Sequence, residues 1–137
     1  MSHFLRIQTQ LREREHLLKA LEEVNVTRNY GYRLTQGQNL IVRGYAGQQE
    51  RAEIVVHASA NYDIGFRRQN EAYEMVADWW GVERNSPIRK DTFVPEINYH
   101  YNYSLILDQL RNDDRQIEEN HLQPDGRRII IARIRSY

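Results

Sequence analysis

Apolar residues recur at helical spacing in two stretches of the chain. The first stretch follows Thr9, a residue type that caps helices, and its apolar stripe consists of Leu17, Leu21 and Val24. The second stretch follows Pro95 and repeats every four residues, which predicts a helix over residues 96–111. Two helices are therefore predicted, one near each end of the chain.

Short runs of alternating apolar and polar residues predict the strands. A looser alternation over 26–34 leads into residues 36–39, which are typical of a turn. The clearer runs predict seven strands, at residues 4–8, 40–45, 51–57, 62–67, 72–77, 116–121 and 127–135.

The order of these elements is β-α-β-β-β-β-α-β-β, and the short loops between strands favour an antiparallel meander over crossovers. We therefore expect an α+β fold in which a single antiparallel sheet carries both helices on one face, as one domain over residues 1–137. Residues 79–93 show no clean periodicity and are interpreted as a surface excursion. The last strand is expected to be buried on both faces at its centre.

Composition restricts the function classes. The 137 residues hold 19 basic and 19 acidic side chains, so no net charge attracts nucleic acid or an anionic membrane. The absence of cysteine excludes disulfides and thiolate chemistry by this chain. The longest apolar run is 129–132, far too short to span a membrane, and the N-terminus lacks a signal-peptide core. A protein of a reducing compartment such as the cytoplasm is expected.

No arrangement of residues predicts a catalytic, cofactor or metal site. The five histidines are scattered without ligand spacing, and no phosphate-binding glycine loop or nucleophile motif is present. Acidic residues such as Asp63 and Asp78 lie beside predicted strands, where caps and surface groups are commoner than general acids. An enzyme is therefore disfavoured, although histidines and carboxylates can converge in space without converging in sequence.

Two groups of residues are candidates for partner contact. The first is an arginine and tyrosine surface on the central strands. Such a surface suits binding to a protein, and the bases of single-stranded nucleic acid could also stack on it. The second is aromatic, because tryptophan and tyrosine often anchor interfaces. Together the candidates are Arg43, Tyr45, Tyr62, Arg67, Arg68, Trp79, Trp80 and Tyr101.

Several sequence blocks carry a family resemblance that runs nearly end to end. They are the opening SHF with TQ and LLKAL, then VRGYAGQ (42–48), AEIVV (52–56), NYDIGF (61–66) and YEMVADWW (73–80). In this order they resemble the hypothetical chloroplast reading frame thirty-five proteins of cyanobacteria and algal plastids. The resemblance implies a non-secreted protein of the bacterial cytoplasm or plastid stroma, and it supplies no catalytic residue.

The leading hypothesis is a non-enzymatic accessory or adaptor protein that acts through protein–protein interaction. Its alternatives are a single-stranded nucleic-acid-binding module and, less favoured, a cryptic hydrolase or metal enzyme. The oligomeric state is also open. Because exposed strand edges such as that of residues 127–135 need covering or pairing, two copies of the chain could pair as a homodimer.

Overall fold

Seven strands and three helices make up the regular structure of the computed structural model, which describes residues 3–112 and 115–134, with side chains for 3–112 and 119–132. In chain order they are β1 (Leu5–Gln8), α1 (Arg14–Arg28), β2 (Arg33–Arg43), a 3-10 turn (Tyr45–Gly47), β3 (Gln49–His57), β4 (Asp63–Gln69), β5 (Ala72–Ala77), α2 (Trp79–Asn85), α3 (Lys90–Asn112), β6 (Arg115–Leu122) and β7 (Arg128–Ile134). They divide into two compact units, Met1–Tyr101 and Asn102–Tyr137. The single-domain expectation stays a prediction.

The α+β class and the order of the predicted elements are confirmed, with three corrections. Residues 79–93, predicted as a surface excursion, contain the helix α2. Asp78 caps this helix by accepting the Gly81 backbone N–H. The expectation of a single sheet is wrong, since β6 and β7 form a separate two-stranded sheet. Thr9 does not cap α1: its hydroxyl accepts the Leu11 N–H and donates to the Tyr73 carbonyl, so it fixes the segment before the helix.

Five antiparallel strands form the larger sheet in the order β1-β5-β4-β3-β2. Residues that pair across neighbouring strands share a face of the sheet. Ile54 pairs with Phe66 and Phe66 with Met75, and Ile7 of β1 pairs with Met75 in turn. This row and the next one, Val56, Ile64, Ala77 and Leu5, define the first face, whose residues on the three central strands are buried.

Helix α1 and the beginning of α3 cover this first face, as predicted. The buried residues of α1 are His16, Leu17, Ala20, Leu21 and Val24, and the buried residues of α3 are Phe93, Ile97 and Tyr101. Tyr32, which leads into β2, links them: its hydroxyl donates to the Leu21 carbonyl and its ring meets Phe93 edge-on. Burying these side chains is the main source of stability for the unit.

The β2–β3 hairpin curls over the second face of the same sheet. Strand β2 is continuous through residues 36–39, predicted as a turn, where a register shift between Gln36 and Leu40 bends it. The bend brings Val42 over Gly65, although β3 lies between their strands: a Cβ added to Gly65 would stand 2.4 Å from Val42 Cγ2. Val42, Ala52 and Val55 form a second buried cluster, against which Phe4 and Leu40 pack.

In the second unit, β6 and β7 form a two-stranded antiparallel sheet beside the end of α3. Tyr103 of α3 accepts a hydrogen bond from Asn120 and lies under the Arg128 guanidinium. The residues on the other side of β7, Ile129 and Ile131, are exposed. The expectation that β7 is buried on both faces is therefore wrong, because its sheet has one covered face.

Among the helices of the described residues, none combines the length and hydrophobicity needed to cross a membrane.

The close approach of the curled hairpin makes Gly65 a sensitive position. We expect Gly65→Ala to lower the free energy of unfolding by about 1–3 kcal/mol, because the new methyl group would displace Val42 and Ala52 from a packed cluster. Urea denaturation measures the change. Gly37→Ala is the matched control, since its methyl group would meet only the flexible Leu40 side chain at 3.2 Å. Equal effects at both positions would contradict the close packing of Val42 on Gly65.

Candidate functional site

The carboxylate of Asp63, at the start of β4, is fully buried and holds the curled hairpin. Arg43, at the end of β2, binds it three times: the backbone N–H and Nε donate to Oδ2 at 2.9 and 2.8 Å, and Nη2 donates to Oδ1 at 2.9 Å. Nη1 of Arg43 also donates to the Ala60 carbonyl at 2.5 Å. A bidentate guanidinium is the cation best suited to this task.

The electrostatics of the pair keep Asp63 ionised. Burial alone would raise the pKa of Asp63, but the hydrogen bonds and charge of Arg43, with a smaller contribution from His57, lower that pKa below its ordinary value. The hydrogen bond to Asp63 in turn raises the pKa of Arg43. Both groups are therefore charged at neutral pH, and the charge of Arg43 is neutralised within the fold.

A hydrogen-bonded chain extends from Asp63 across three strands. His57 Nδ1 lies 3.0 Å from Asp63 Oδ1, and His57 Nε2 lies 2.7 Å from the Thr35 hydroxyl. Because an ionised carboxylate only accepts, Nδ1 carries a proton, and in the tautomer that is protonated there alone Nε2 is an acceptor. The Thr35 hydroxyl then donates to Nε2, which is the relation of nucleophile, base and orienting acid in a hydrolase triad.

A second group of ion pairs crosses the same face of the sheet. Arg67 donates to Glu74 at 2.5 Å and to Glu50 at 3.4 Å, and Glu50 also binds Arg6 of β1 at 2.5 Å. The hydrogen bond to the buried Glu74 raises the pKa of Arg67. Since Glu50 belongs to the curled hairpin, these pairs fasten it to the opposite edge of the sheet.

An open cleft of about 420 Å³ lies beside the 3-10 turn at the tip of the hairpin. The turn is held in place by Asp78, which accepts the Tyr45 backbone N–H at 3.1 Å while also capping α2. Side chains that line the cleft include Arg43, Tyr45, Gln48, Gln49, Asn61 and Tyr62. It contains aromatic and amide groups, no carboxylate, and one guanidinium that Asp63 already neutralises.

An exposed aromatic pair flanks the cleft. Tyr45 and Trp80 are 44% and 45% exposed, and their rings meet edge-to-face at 6.2 Å. The Arg84 guanidinium covers the Trp80 ring at 4.5 Å. Gly81 allows the Tyr62 ring to pack directly against α2, because a Cβ at position 81 would fall 1.9 Å from that ring. We call Tyr45, Tyr62, Trp80 and Arg84 the aromatic surface.

The structure brings four of the eight predicted contact residues together: Arg43, Tyr45, Tyr62 and Trp80 lie at or beside the cleft. Trp79 and Tyr101 are only 6% and 3% exposed. Trp79 packs on Phe93, and the Tyr101 hydroxyl accepts the N–H groups of Arg12 and Glu13 just before α1.

The other two predicted residues lie along β4. Arg67 is engaged by carboxylates, and Arg68 stacks on the Tyr73 ring and donates to the Glu71 carbonyl. Sequence reasoning missed Gly81, Arg84 and the specific role of Asp78 as the cap of α2, because residues 79–93 were interpreted as a surface excursion. The available signal for a short capped helix was Asp78, a residue type that caps helices, directly before the apolar residues Trp79 and Trp80.

Among the described side chains, those of residues 3–112 and 119–132, no group of three or more histidine or acidic residues is arranged to hold a metal ion.

Comparison with known proteins identifies relatives over most of the chain. A family model described as protein of unknown function (DUF1257) matches residues 21–131. The uncharacterized protein ycf35 of Cyanophora paradoxa is 30% identical over 98% of this chain and 99% of its own length. The protein of the same name from Guillardia theta is 31% identical over 82% of this chain and 80% of its own. Both relatives are encoded in plastid genomes. No solved structure matches.

The lowered pKa of Asp63 predicts a specific dependence of stability on pH. Because the pKa is lower in the folded than in the unfolded chain, the stabilisation is complete above the ordinary value of 3.8 and is lost as the pH falls through the folded value. We expect Asp63→Asn to lower the free energy of unfolding by about 2–3 kcal/mol at pH 7 and by progressively less below about pH 4.

Urea denaturation of both proteins between pH 7 and pH 2.5 measures this difference. Glu71→Gln is the control, because the Glu71 side chain is 87% exposed and should give little difference at any pH. A difference between Asp63→Asn and the unmodified chain that does not change with pH would contradict the ionised pair.

Proposed function

This chain belongs to the DUF1257 family, and we propose that it is a non-enzymatic accessory or adaptor protein that binds another protein in a cyanobacterial or plastid setting. The observation that carries the proposal is the aromatic surface. Tyr45 and Trp80 are large, exposed and neighbouring, although such side chains are usually withdrawn from water. Tryptophan, tyrosine and arginine are also the residues that contribute most to binding at protein interfaces.

The rigidity of this surface supports binding. Tyr45 belongs to a turn whose backbone is held by the buried Asp78, and Trp80 lies on the helix that Asp78 caps. The ring contacts between Tyr45, Trp80 and Arg84 restrict their rotamers before any partner arrives. A surface that is already ordered loses less side-chain entropy on association, so more of its contact energy appears as affinity.

Charge favours a protein partner over nucleic acid. Arg43 and Arg67 are paired with carboxylates, and Arg68 is stacked on Tyr73. A nucleic-acid surface needs guanidinium groups that can neutralise phosphates, and these three are already engaged. The aromatic cleft instead suits a partner that offers apolar side chains and backbone amides.

Photo-crosslinking tests the proposal. A crosslinking amino acid at Gln48, exposed at the cleft, should give a discrete adduct in cells of the source lineage, and one at Val26 on α1 should not. We expect Trp80→Ala to reduce the Gln48 adduct by about 30-fold, because removing an interface anchor costs about 2 kcal/mol, and Trp80→Phe to retain most of it. Thermal unfolding controls for folding. An adduct that is equal in all three proteins would contradict the aromatic surface as the binding site.

The chain Thr35–His57–Asp63 favours one second candidate, an acyl-transfer activity. In that case Thr35 Oγ1 attacks an ester carbonyl while its proton passes to His57 Nε2, which then protonates the departing alcohol; water subsequently releases the acyl group from Thr35. The candidate ranks second because Asp63 is already neutralised by Arg43, which weakens its stabilisation of a protonated His57.

A fluorophosphonate probe distinguishes the two candidates. For a non-enzymatic protein we expect no covalent labelling above that of Thr35→Ala, as measured by intact-mass spectrometry. Labelling of the unmodified chain that disappears in both Thr35→Ala and His57→Ala, but persists in Thr27→Ala on α1, would establish Thr35 as an activated nucleophile and contradict a purely binding role.

A further inference from the structure

Strand β1 is an open edge of the five-stranded sheet. It pairs with β5 on one side, and among the described residues no strand pairs with its other side. The side chains on its second face are occupied, since Arg6 binds Glu50 and Gln8 donates to Glu74. On its first face Leu5 remains 43% exposed, beyond the cover that the helices give to the central strands.

The start of α3 forms the opposite wall of a groove along this edge. The groove measures about 290 Å³, and the apolar part of its lining is Leu5, Ile7, Val94 and Pro95. Leu5 and Ile7 are alternate residues of one strand, so an added strand would place its own alternate side chains between them and the helix. An edge strand facing a helix across an apolar groove is the arrangement in which a protein accepts an extended peptide by strand addition.

The charges at the rim of the groove distinguish between occupants. Lys90 and Asp91 lie in the first turn of α3, where the helix dipole favours an anion and opposes a cation. Within the described part of the chain, no hydrogen bond or ion pair engages the Lys90 ammonium group. The Glu83 carboxylate accepts the Lys90 backbone N–H at 2.9 Å, so it binds the helix terminus and not the ammonium group. A carboxylate on an incoming segment would pair with that ammonium group, whereas a second cation would be repelled by it.

From these observations we propose that the groove between β1 and α3 binds an extended segment of a partner protein as an added strand. The segment has aliphatic side chains at alternate positions, which lie against Leu5, Ile7 and Val94, and a carboxylate that meets Lys90. Its backbone pairs with the open edge of β1. This site is separate from the aromatic surface, so either one can fail experimentally without the other.

Selection from a phage-displayed library of random dodecapeptides tests the proposal on the full chain. Enriched peptides should share an aliphatic-x-aliphatic pattern with a neighbouring Asp or Glu. A synthetic peptide of that sequence should slow hydrogen exchange at backbone amides of β1, which is the specific signature of strand addition. Leu5→Asp should weaken its binding at least tenfold, while Ile41→Asp, equally exposed on the opposite edge strand, should leave binding unchanged.

Lys90→Glu supplies a test of charge that does not depend on the apolar contacts. Selection on this variant should replace the acidic residue of the consensus with Lys or Arg while the aliphatic pattern persists. Three results would overturn the proposal: no consensus, a consensus peptide that binds without protecting β1, or a dimer of the chain alone that Leu5→Asp dissociates. The last result would assign the groove to a second copy of this chain.

Discussion

The first unit depends on one buried carboxylate. Asp63 has no contact with water, so its charge is tolerated only because Arg43 and His57 surround it with hydrogen-bond donors. Arg43 stands at the end of β2, two strands away in the sheet, and can reach Asp63 only when the β2–β3 hairpin curls over the second face. The cost of burying the carboxylate therefore selects the curled arrangement over a flat hairpin, in which Asp63 would keep His57, its partner on the next strand, but would lose the donors of Arg43.

The curl determines where the aromatic surface lies. It carries the turn at Tyr45 to the end of β5, where Asp78 accepts the Tyr45 backbone N–H and caps α2. Two buried carboxylates thus hold the hairpin at two places. Asp63 binds the end of β2, and Asp78 joins the tip of the hairpin to the helix that bears Trp80. The aromatic surface is accordingly built on regular elements and a short restrained turn. Such support allows exposed aromatic rings to keep one orientation without being buried.

Local patterns predicted the parts of this fold that depend on local physics. The stripe of Leu17, Leu21 and Val24 and the strand over 72–77 correspond to elements of the structure, because helical and strand periodicity reflect burial of one face. The bend in β2 depends instead on Gly65 and Asp63, which are distant in sequence, so residues 36–39 resembled a turn. The hydrogen bonds from Thr35 through His57 to Asp63 also join residues that are brought together only by the fold. They lie on three different strands, so no regular spacing in the sequence could have predicted them. Both Trp79 and Trp80 were predicted to contact a partner, but only Trp80 is exposed in the structure. Their adjacency in the sequence could not show which of the two is buried.

The basic residues differ in chemistry between the centre of the fold and the surface. Of 19 basic residues only Lys19 and Lys90 are lysines. Arginines at the centre of the fold bind several acceptors at once, as Arg43 does with Asp63 and two carbonyl groups, and a lysine ammonium could not reproduce that planar geometry. Lys19 pairs with Glu15 one turn earlier on α1. Lys90, a point charge at the rim of an apolar groove, therefore differs from the internal arginines in both chemistry and placement.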